Sequence, residues 1–239
     1  MSWRVATVVE VVDETARVRS LVLDVPDWPG HQAGQHVDIR LTAADGYQAQ
    51  RSYSIASAPE DDRLVLTVER LEEGEVSPYL FDVLTVGDDL ELRGPIGGYF
   101  VWTPALGGPI LLIAGGSGVV PFRSMLRHRT ATQTAIPAKL LYSARSIGDV
   151  IYREELTRLA TNGTDVALTL TREWPHEWTG YRRRIDMELL REIAWTPAER
   201  PLMYVCGPSG FVESAANALV ALGHDAERIR TERFGPTGT

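Results

Sequence analysis

Residues 51–57 read RSYSIAS and run into Ala58-Pro59, where a β-strand would end. In a strand, period two places Arg51 and Tyr53 on one face and Ser54 on the other. A guanidinium makes forked, charged hydrogen bonds to phosphate, a phenol ring suits a flat heterocycle, and a serine hydroxyl both donates and accepts. The three side chains could therefore hold a flavin dinucleotide. The stretch fits equally an ordinary strand with a surface salt bridge and a half-buried tyrosine.

Composition describes an ordinary globular chain of 239 residues, 44% hydrophobic and 23% charged. It has no apolar run long enough to span a bilayer, and its first residues lack a secretory signal, so we expect a soluble cytoplasmic protein, not membrane-bound. The single cysteine, Cys206, excludes an intrachain disulfide and a cysteine-ligated cluster, and we expect no metal site.

Charge is divided unevenly along the chain. The formal net charge is −8, which argues against nucleic acid as a partner. Residues 1–103 hold 8 Arg against 18 Asp and Glu, a net of −10, whereas residues 104–239 hold 16 Lys and Arg against 14 Asp and Glu, a net of +2. The two halves are therefore expected to be separate domains with different ligands.

Two kinds of pattern support that division. Up to about Leu66, short two-periodic stretches alternate with Gly and Pro turn signals, which predicts an antiparallel barrel or sandwich. Ser77 followed by Pro78 predicts the N-cap and first position of a short helix. After about Thr103, continuous apolar strands alternate with helical stretches, which predicts a parallel sheet covered on both faces. Its helices are expected near residues 121–130, 150–161, 186–194 and 209–222, with Asp186 as an N-cap and Gly223 as the left-handed residue after the last helix.

The first strand of the second half leads into GGSGVVP, Gly115 to Pro121, at the start of a helix. A glycine-rich turn before a helix brings backbone N–H groups to one point, which suits a pyrophosphate. The stretch is not the G-x-G-x-x-G fingerprint, and a plain turn between strand and helix is the alternative.

The next strands end in arginine and serine where an NAD-binding domain would carry an acidic residue. Ser143 and Arg145 follow the second strand, Arg172 follows the third, and Arg182 to Arg184 lie beyond. Such a cluster suits a 2′-phosphate, so NADPH is favoured with NADH still possible, although each arginine alone also fits a solvated surface charge.

Taken in order, RSYSIAS, EEGEVSPYL, GPIGGYF, LLIAGGSGVVPFRSML, YVCGPSGF and ERFGPTG resemble the ferredoxin-NADP reductase superfamily over nearly the whole chain. The resemblance implies an N-terminal six-stranded antiparallel β-barrel that binds FAD, over residues 1–103. It implies a C-terminal α/β domain that binds NAD(P)H, over residues 104–239, with a five-stranded parallel sheet in the order 3-2-1-4-5.

The resemblance also assigns roles to residues at matching positions. Arg51 is expected to bind the FAD pyrophosphate, Tyr53 to stack on the isoalloxazine, and Ser54 to hydrogen-bond near its reducible nitrogen. The remaining FAD contacts that the resemblance implies are Val68, Arg70, Val76 and Ser77. Those for the nicotinamide dinucleotide are Gly115, Gly116, Gly118, Pro121, Ser143, Arg145, Arg172, Cys206, Gly207 and Pro208.

Catalytic roles are expected for two of these positions, Ser54 and Cys206, and for Glu232. Cys206 matches a thiol beside the nicotinamide, although a lone cysteine ending an apolar strand is also a common buried hydrophobe. Ser54, Cys206 and Glu232 would shape the site and relay a proton. Phe234 matches an aromatic cover of the flavin, but plant-type relatives end on a tyrosine, whereas here GPTGT follows.

The implied activity is hydride transfer from NADPH or NADH to FAD in a monomeric flavoprotein. Because the chain has no ferredoxin module, electrons would pass singly to a separate acceptor: a ferredoxin, a flavodoxin or a monooxygenase component. Two alternatives stay open, a reductase that uses flavin as a diffusible substrate and a non-catalytic electron-transfer subunit of a larger complex.

Overall fold

The computed structural model describes residues 2–234, which divide into two compact units. One unit is formed by the residues up to Thr103 together with Arg123–Ala131, and the other by Pro104–Phe122 together with the residues from Thr132 onward. The assignment of residues 1–103 to FAD and of 104–239 to NAD(P)H stays a prediction about ligand binding.

Six strands form an antiparallel sheet in the first unit, in the order β4-β3-β6-β1-β2-β5. Their bounds are β1 Arg4–Thr15, β2 Val18–Asp24, β3 His36–Thr42, β4 Gln48–Ser54, β5 Leu64–Glu69 and β6 Asp89–Ile96. Alternate residues of these strands point inward, so that Leu21, Ile39 and Leu66 are fully buried in one apolar core. The predicted two-residue period is therefore confirmed.

The two end strands of this order, β4 and β5, meet just beyond RSYS. Ile55 and Leu66 form an isolated antiparallel bridge, and the Ala56 N–H donates to the Val65 carbonyl at 2.8 Å. The six strands thereby close on themselves, which is the predicted antiparallel barrel. The closure places the C-terminal end of β4 at the seam of the barrel.

The short helix expected at Ser77 is present, but its predicted cap is wrong. A π-helical turn covers Tyr79–Val83, with the Leu84 N–H bonded to the Tyr79 carbonyl, and Pro78 occupies the capping position. The Ser77 hydroxyl instead accepts from the Leu71 N–H at 3.1 Å. The loop before Ser77 curls back, and this places the Leu71 donor within reach of the hydroxyl.

The second unit contains a five-stranded parallel sheet in the order β11-β10-β7-β8-β9, as predicted. Its strands are β7 Ile110–Gly115, β8 Ala138–Ala144, β9 Thr164–Leu170, β10 Leu202–Pro208 and β11 Ile229–Phe234. Its α-helices are α1 Val120–Ala131, α2 Arg153–Thr161, α3 Met187–Ile193 and α4 Ser209–Ala221. Short 3-10 turns lie at Pro104–Leu106, Gly116–Val119, Ile147–Asp149, Pro197–Glu199 and Ala226–Arg228. Every residue of β7 is buried, as a strand covered on both faces requires.

Helix ends in this unit follow local chemistry. The Asp186 carboxylate accepts from the Leu189 N–H at 2.9 Å and caps α3, which confirms the prediction. Gly223, with φ of +92°, terminates α4 in the left-handed region as expected. The second helix begins at Arg153 and not at Val150, because Ile147–Asp149 forms a separate turn and Tyr152 adopts φ of +59°.

Within residues 2–234, no helix has the length and apolar composition required to cross a bilayer. Within the same range, no group of three or more His, Cys, Asp or Glu side chains is placed to hold a metal ion.

Candidate functional site

The candidate flavin-binding residues begin on the end strand β4. Arg51 is exposed, and its Nη1 donates to the neighbouring Gln50 carbonyl at 2.7 Å. In the part of the chain that the structure describes, this guanidinium forms no ion pair with a carboxylate. Most of its donors are therefore available to a phosphate, and the residue fits the predicted pyrophosphate contact.

Tyr53 and Ser54 lie deeper in the same strand. The Tyr53 ring packs against the barrel core, and this burial raises the pKa of its phenol, so that the ring stays neutral. Ser54 is buried at the end of β4, with 6% of its surface exposed. An exposed cation, a fixed aromatic ring and a hydroxyl thus follow one another along four residues, and this set of groups fits a flavin dinucleotide.

The other predicted FAD contacts are less available. Val68 and Val76 have their side chains fully buried, which leaves only their backbone groups for a ligand. The Arg70 guanidinium is paired with Asp82, with 2.8 Å between Nε and Oδ2. The hydroxyl of Ser77 is engaged by the Leu71 N–H. The FAD-binding roles of these four residues stay predictions.

The candidate nicotinamide site lies at the carboxyl edge of the parallel sheet, where β7 and β10 are neighbours. The chain continues from β7 to β8 on one side and returns to β10 on the other, so this edge is the switch point where open α/β sheets bind ligands. The glycine-rich turn after β7 and the Cys206-Gly207 end of β10 meet there.

Three glycines make this meeting possible. A Cβ on Gly118 would lie 2.1 Å from the Cys206 carbonyl oxygen, and one on Gly207 would lie 3.1 Å from the Gly115 carbonyl oxygen. Gly116 has φ of +57° and open space at its Cβ position. Backbone therefore packs on backbone beneath an open turn, an arrangement that fits a dinucleotide whose pyrophosphate must approach the main chain closely.

We call the packed segments Gly115–Gly118 and Cys206-Gly207 the nicotinamide cradle. Phe211 also contributes to it and was not predicted from the sequence. A Cβ on Gly115 or on Gly207 would lie 3.0 Å from its ring, so the aromatic side chain packs against both turns. Phe211 is part of the quoted YVCGPSGF stretch. The sequence feature that could have identified Phe211 is an aromatic residue in the first turn of a helix that follows a glycine.

The thiol and the carboxylate predicted to act together are in contact. Cys206 is fully buried, and its Sγ donates to Glu232 Oε2 at 3.7 Å across the β10–β11 pair. Burial, assisted by the Glu232 charge, raises the pKa of the thiol well above its ordinary value, so Cys206 is a neutral hydrogen-bond donor. Phe234 is half-buried and is paired with Pro208 at the end of the same two strands.

The arginines predicted near a 2′-phosphate behave differently from one another. Arg145 and Arg172 are exposed, and the Arg172 N–H donates to the Arg145 carbonyl at 2.9 Å, which holds the two residues side by side. Neither forms an ion pair within residues 2–234. Arg183 is paired with Asp186 and Glu188, so its charge is already balanced. Of these three, Arg145 and Arg172 have the more available guanidinium groups, and their role as 2′-phosphate ligands stays a prediction. Ser143, at the end of β8, is the register partner of Gly115.

Comparison with known proteins identifies two domain families in the chain. Residues 5–101 match the family described as Oxidoreductase FAD-binding domain, and residues 112–217 match the Oxidoreductase NAD-binding domain. A glycine betaine monooxygenase reductase subunit from Pseudomonas aeruginosa is 33% identical over 236 residues, which are 96% of this chain and 63% of that protein. The chain thus spans less than two thirds of the length of that relative.

Two further proteins are covered more completely. Ferredoxin–NADP reductase B from Sorangium cellulosum is 36% identical over 211 residues, which are 85% of each protein. The FAD/NAD-binding domain of a nitric oxide dioxygenase from Vibrio cholerae superposes with a TM-score of 0.86 at 28% identity, over 98% of this chain and 99% of that domain. Given the two matched domains and a reductase relative covered over most of its length, the chain belongs to the ferredoxin-NADP reductase superfamily.

Proposed function

We propose that the protein is an NAD(P)H-dependent flavoprotein reductase that takes a hydride onto FAD and passes the electrons singly to a separate acceptor. The observation that carries the proposal is the presence, in one chain, of the Arg51–Ser54 strand end and the Gly115–Gly118–Gly207 cradle. FAD, when bound, supplies the conversion between two-electron and one-electron chemistry. The protein supplies binding and placement.

The residues of the first unit would contribute to FAD binding in different ways, according to whether their side chains are exposed or buried. The exposed Arg51 guanidinium would neutralise the FAD pyrophosphate, and the half-buried Tyr53 ring would fix the plane of the flavin. Ser54 would hydrogen-bond the nitrogen that receives the hydride. In the second unit the neutral thiol of Cys206, held by Glu232, would lie beside the nicotinamide without competing as a nucleophile.

We further propose NADPH as the preferred donor. Arg145 and Arg172 follow neighbouring strands and have no carboxylate partner among the described residues, and no acidic side chain ends β8. Two such guanidinium groups favour a dianionic 2′-phosphate. NADH would bind without this contact and would therefore have a higher KM.

The acceptor we propose is a ferredoxin, a flavodoxin or the oxygenase component of a monooxygenase. Relatives carry the names monooxygenase reductase subunit and ferredoxin–NADP reductase, which supports an acceptor on a separate chain. We place the protein in the cytoplasm and propose that it acts as a monomer.

The visible spectrum of the purified protein tests this function. We expect a yellow protein with one retained FAD that bleaches anaerobically with NADPH faster than with NADH, and that then reduces cytochrome c through an added ferredoxin. A colourless protein that reduces added flavin would establish a flavin reductase instead. A yellow protein that neither nicotinamide bleaches would establish a non-catalytic electron-transfer subunit.

A further inference from the structure

A cavity of about 120 Å³ lies in the second unit, at the edge of the parallel sheet where strands β10 and β11 begin. Its lining includes Arg200 and Pro201, which precede the first residue of β10, and Arg228, which precedes the first residue of β11. Cys206 lies four positions along β10 from Leu202, which is about 13 Å in a strand. The cavity is therefore separate from the nicotinamide cradle, which occupies the opposite edge of the sheet.

A buried histidine of this cavity has an unsatisfied ring nitrogen. His224 lines the cavity with only 6% of its surface exposed, and its Nδ1 has no hydrogen-bond partner in the part of the chain that the structure describes. The backbone is engaged, since the His224 N–H donates to the Leu219 carbonyl at 3.1 Å. Buried polar atoms are nearly always paired in folded proteins. An unpaired imidazole nitrogen beside a cavity thus indicates a ligand that completes its hydrogen bonding.

Two arginines line the same cavity, and within residues 2–234 neither forms an ion pair with a carboxylate. Arg228 is half-buried, and its Nε donates to the Pro201 carbonyl at 3.2 Å. Its Nη2 lies against Gly108, where an added Cβ would be 3.2 Å away. These contacts hold the guanidinium in place and leave its terminal nitrogens to donate. Arg200 is exposed, with its backbone N–H bonded to the Pro197 carbonyl at 3.1 Å.

The charge and size of the cavity favour a small anion. Asp225 is the one carboxylate among the described residues that line it, and Asp225 Oδ1 already accepts from the Glu227 N–H at 3.0 Å. Two guanidinium groups against one carboxylate leave a net of +1 when His224 is neutral. A cavity of about 150 Å³ holds benzene, so one of this size admits a group of about five non-hydrogen atoms. Phosphate and sulfate have that size, and their oxygens suit guanidinium donors.

We propose that this cavity binds a phosphoryl group, either inorganic phosphate or the end of a phosphate ester, between Arg200, Arg228 and His224. The inference is independent of the proposed function, because none of these residues belongs to the flavin or nicotinamide sites. The two guanidinium groups neutralise the anion, and the His224 ring donates to it from Nδ1. The ligand joins the beginnings of β10 and β11, whose other ends carry Cys206 and Glu232.

Anion binding should be coupled to protonation of His224. Burial lowers the pKa of His224, so its imidazole is neutral at pH 7 without an anion. A bound anion favours the imidazolium and raises this pKa, so binding takes up a proton and tightens as the pH falls. The charged groups that face the ring across the cavity are Asp225 and Arg228 from the segment before β11 and Arg200 from the segment before β10.

Calorimetric titration of the purified full-length protein with sodium sulfate at constant ionic strength tests the site. Sulfate keeps its charge between about pH 5.5 and pH 8, so any pH dependence belongs to the protein, and the affinity should rise about tenfold over this range as the pH falls. Arg200→Asn should weaken binding about tenfold or more without unfolding the chain, because asparagine accepts the left-handed φ of +49° at this position. His224→Gln should weaken binding and abolish the pH dependence. Arg191→Gln, an exposed arginine of α3 outside the cavity, should bind as wild type.

The proposed cofactor sites also carry arginines, so the titration is repeated with Arg51→Gln and with Arg145→Gln/Arg172→Gln. Sulfate binding that persists in these variants and is lost in Arg200→Asn would support the cavity. No binding, equal binding in all variants, or binding lost only in the cofactor-site variants would overturn the inference. Glycerol phosphate and inorganic phosphate then distinguish the two sources: comparable binding of both identifies a phosphate ester as the ligand class, and binding of inorganic phosphate alone identifies the free ion. A protein that never bleaches with nicotinamide would overturn the proposed function and leave this titration unaffected.

Discussion

Replacement of Gly118 by alanine should damage the nicotinamide cradle. The added Cβ would lie 2.1 Å from the Cys206 carbonyl oxygen, 2.5 Å from the carbonyl carbon and 2.9 Å from the Gly207 nitrogen. All three are backbone atoms near the end of the buried strand β10, which cannot rotate away as a flexible side chain can. Overpacking of this kind costs about 1–3 kcal/mol. We therefore expect Gly118→Ala to lower the free energy of unfolding of this unit by that amount.

Thermal unfolding followed by circular dichroism measures the effect. For a chain of this size each kcal/mol lowers the midpoint by about 2–4 °C. If the end of β10 moves to relieve the clash, the affinity for NADPH should fall as well, because the same segment forms one wall of the nicotinamide cradle.

Gly210 provides the matched control, since it follows β10 in the same region and an added Cβ there would meet no atom within 4 Å. It lies in the first turn of α4, where alanine is the better helix former, so Gly210→Ala should leave the midpoint unchanged or raise it slightly. A Gly118→Ala protein with the stability and NADPH affinity of wild type would refute the close packing of the two turns.

Three further predictions follow from single groups. Arg51→Gln should weaken FAD retention by about tenfold or more, whereas the FAD-free protein should melt at an unchanged temperature. The reason is that the guanidinium is exposed and, within the described residues, bonds only its neighbour's carbonyl. Fluorescence of released flavin measures retention, and full retention would contradict the prediction. The double variant Arg145→Gln/Arg172→Gln should raise the KM for NADPH about tenfold or more and leave the KM for NADH unchanged in steady-state assays. An equal rise in the KM values for NADPH and NADH would exclude a role of the two arginines in binding the 2′-phosphate. Burial raises the pKa of Cys206, so the reactive thiolate is absent at pH 7–8 and iodoacetamide should not modify the native protein. After unfolding, the thiol returns to its ordinary pKa of about 8.5 and should be modified. Mass spectrometry distinguishes the two cases.

The pattern of apolar and polar residues within each strand was enough to predict the architecture. The alternation that buries Leu21 and Ile39, and the continuous apolar run of β7, report directly which faces are covered. Asp186 and Gly223 were predictable because a cap depends on residues within one helical turn. These features need no knowledge of distant neighbours.

Features that depend on distant contacts were not predictable. The Ser77 hydroxyl bonds to Leu71 because of how the intervening loop folds, and the sequence alone favours the cap. The clash that forbids a side chain at Gly118 comes from Cys206, which lies three strands later in the chain. The pairing of His36 with Ser54 across the sheet likewise follows only once the register of β3 and β4 is known.

The burial of the single cysteine also makes the chain convenient to engineer. A cysteine placed at an exposed position such as Tyr99 or Val86 would be the only accessible thiol, so a maleimide dye or a spin label would attach at one known site without removal of Cys206. The same handle would fix the protein to a gold electrode in one orientation. Comparing current from several such attachment points would then map which part of the surface delivers electrons.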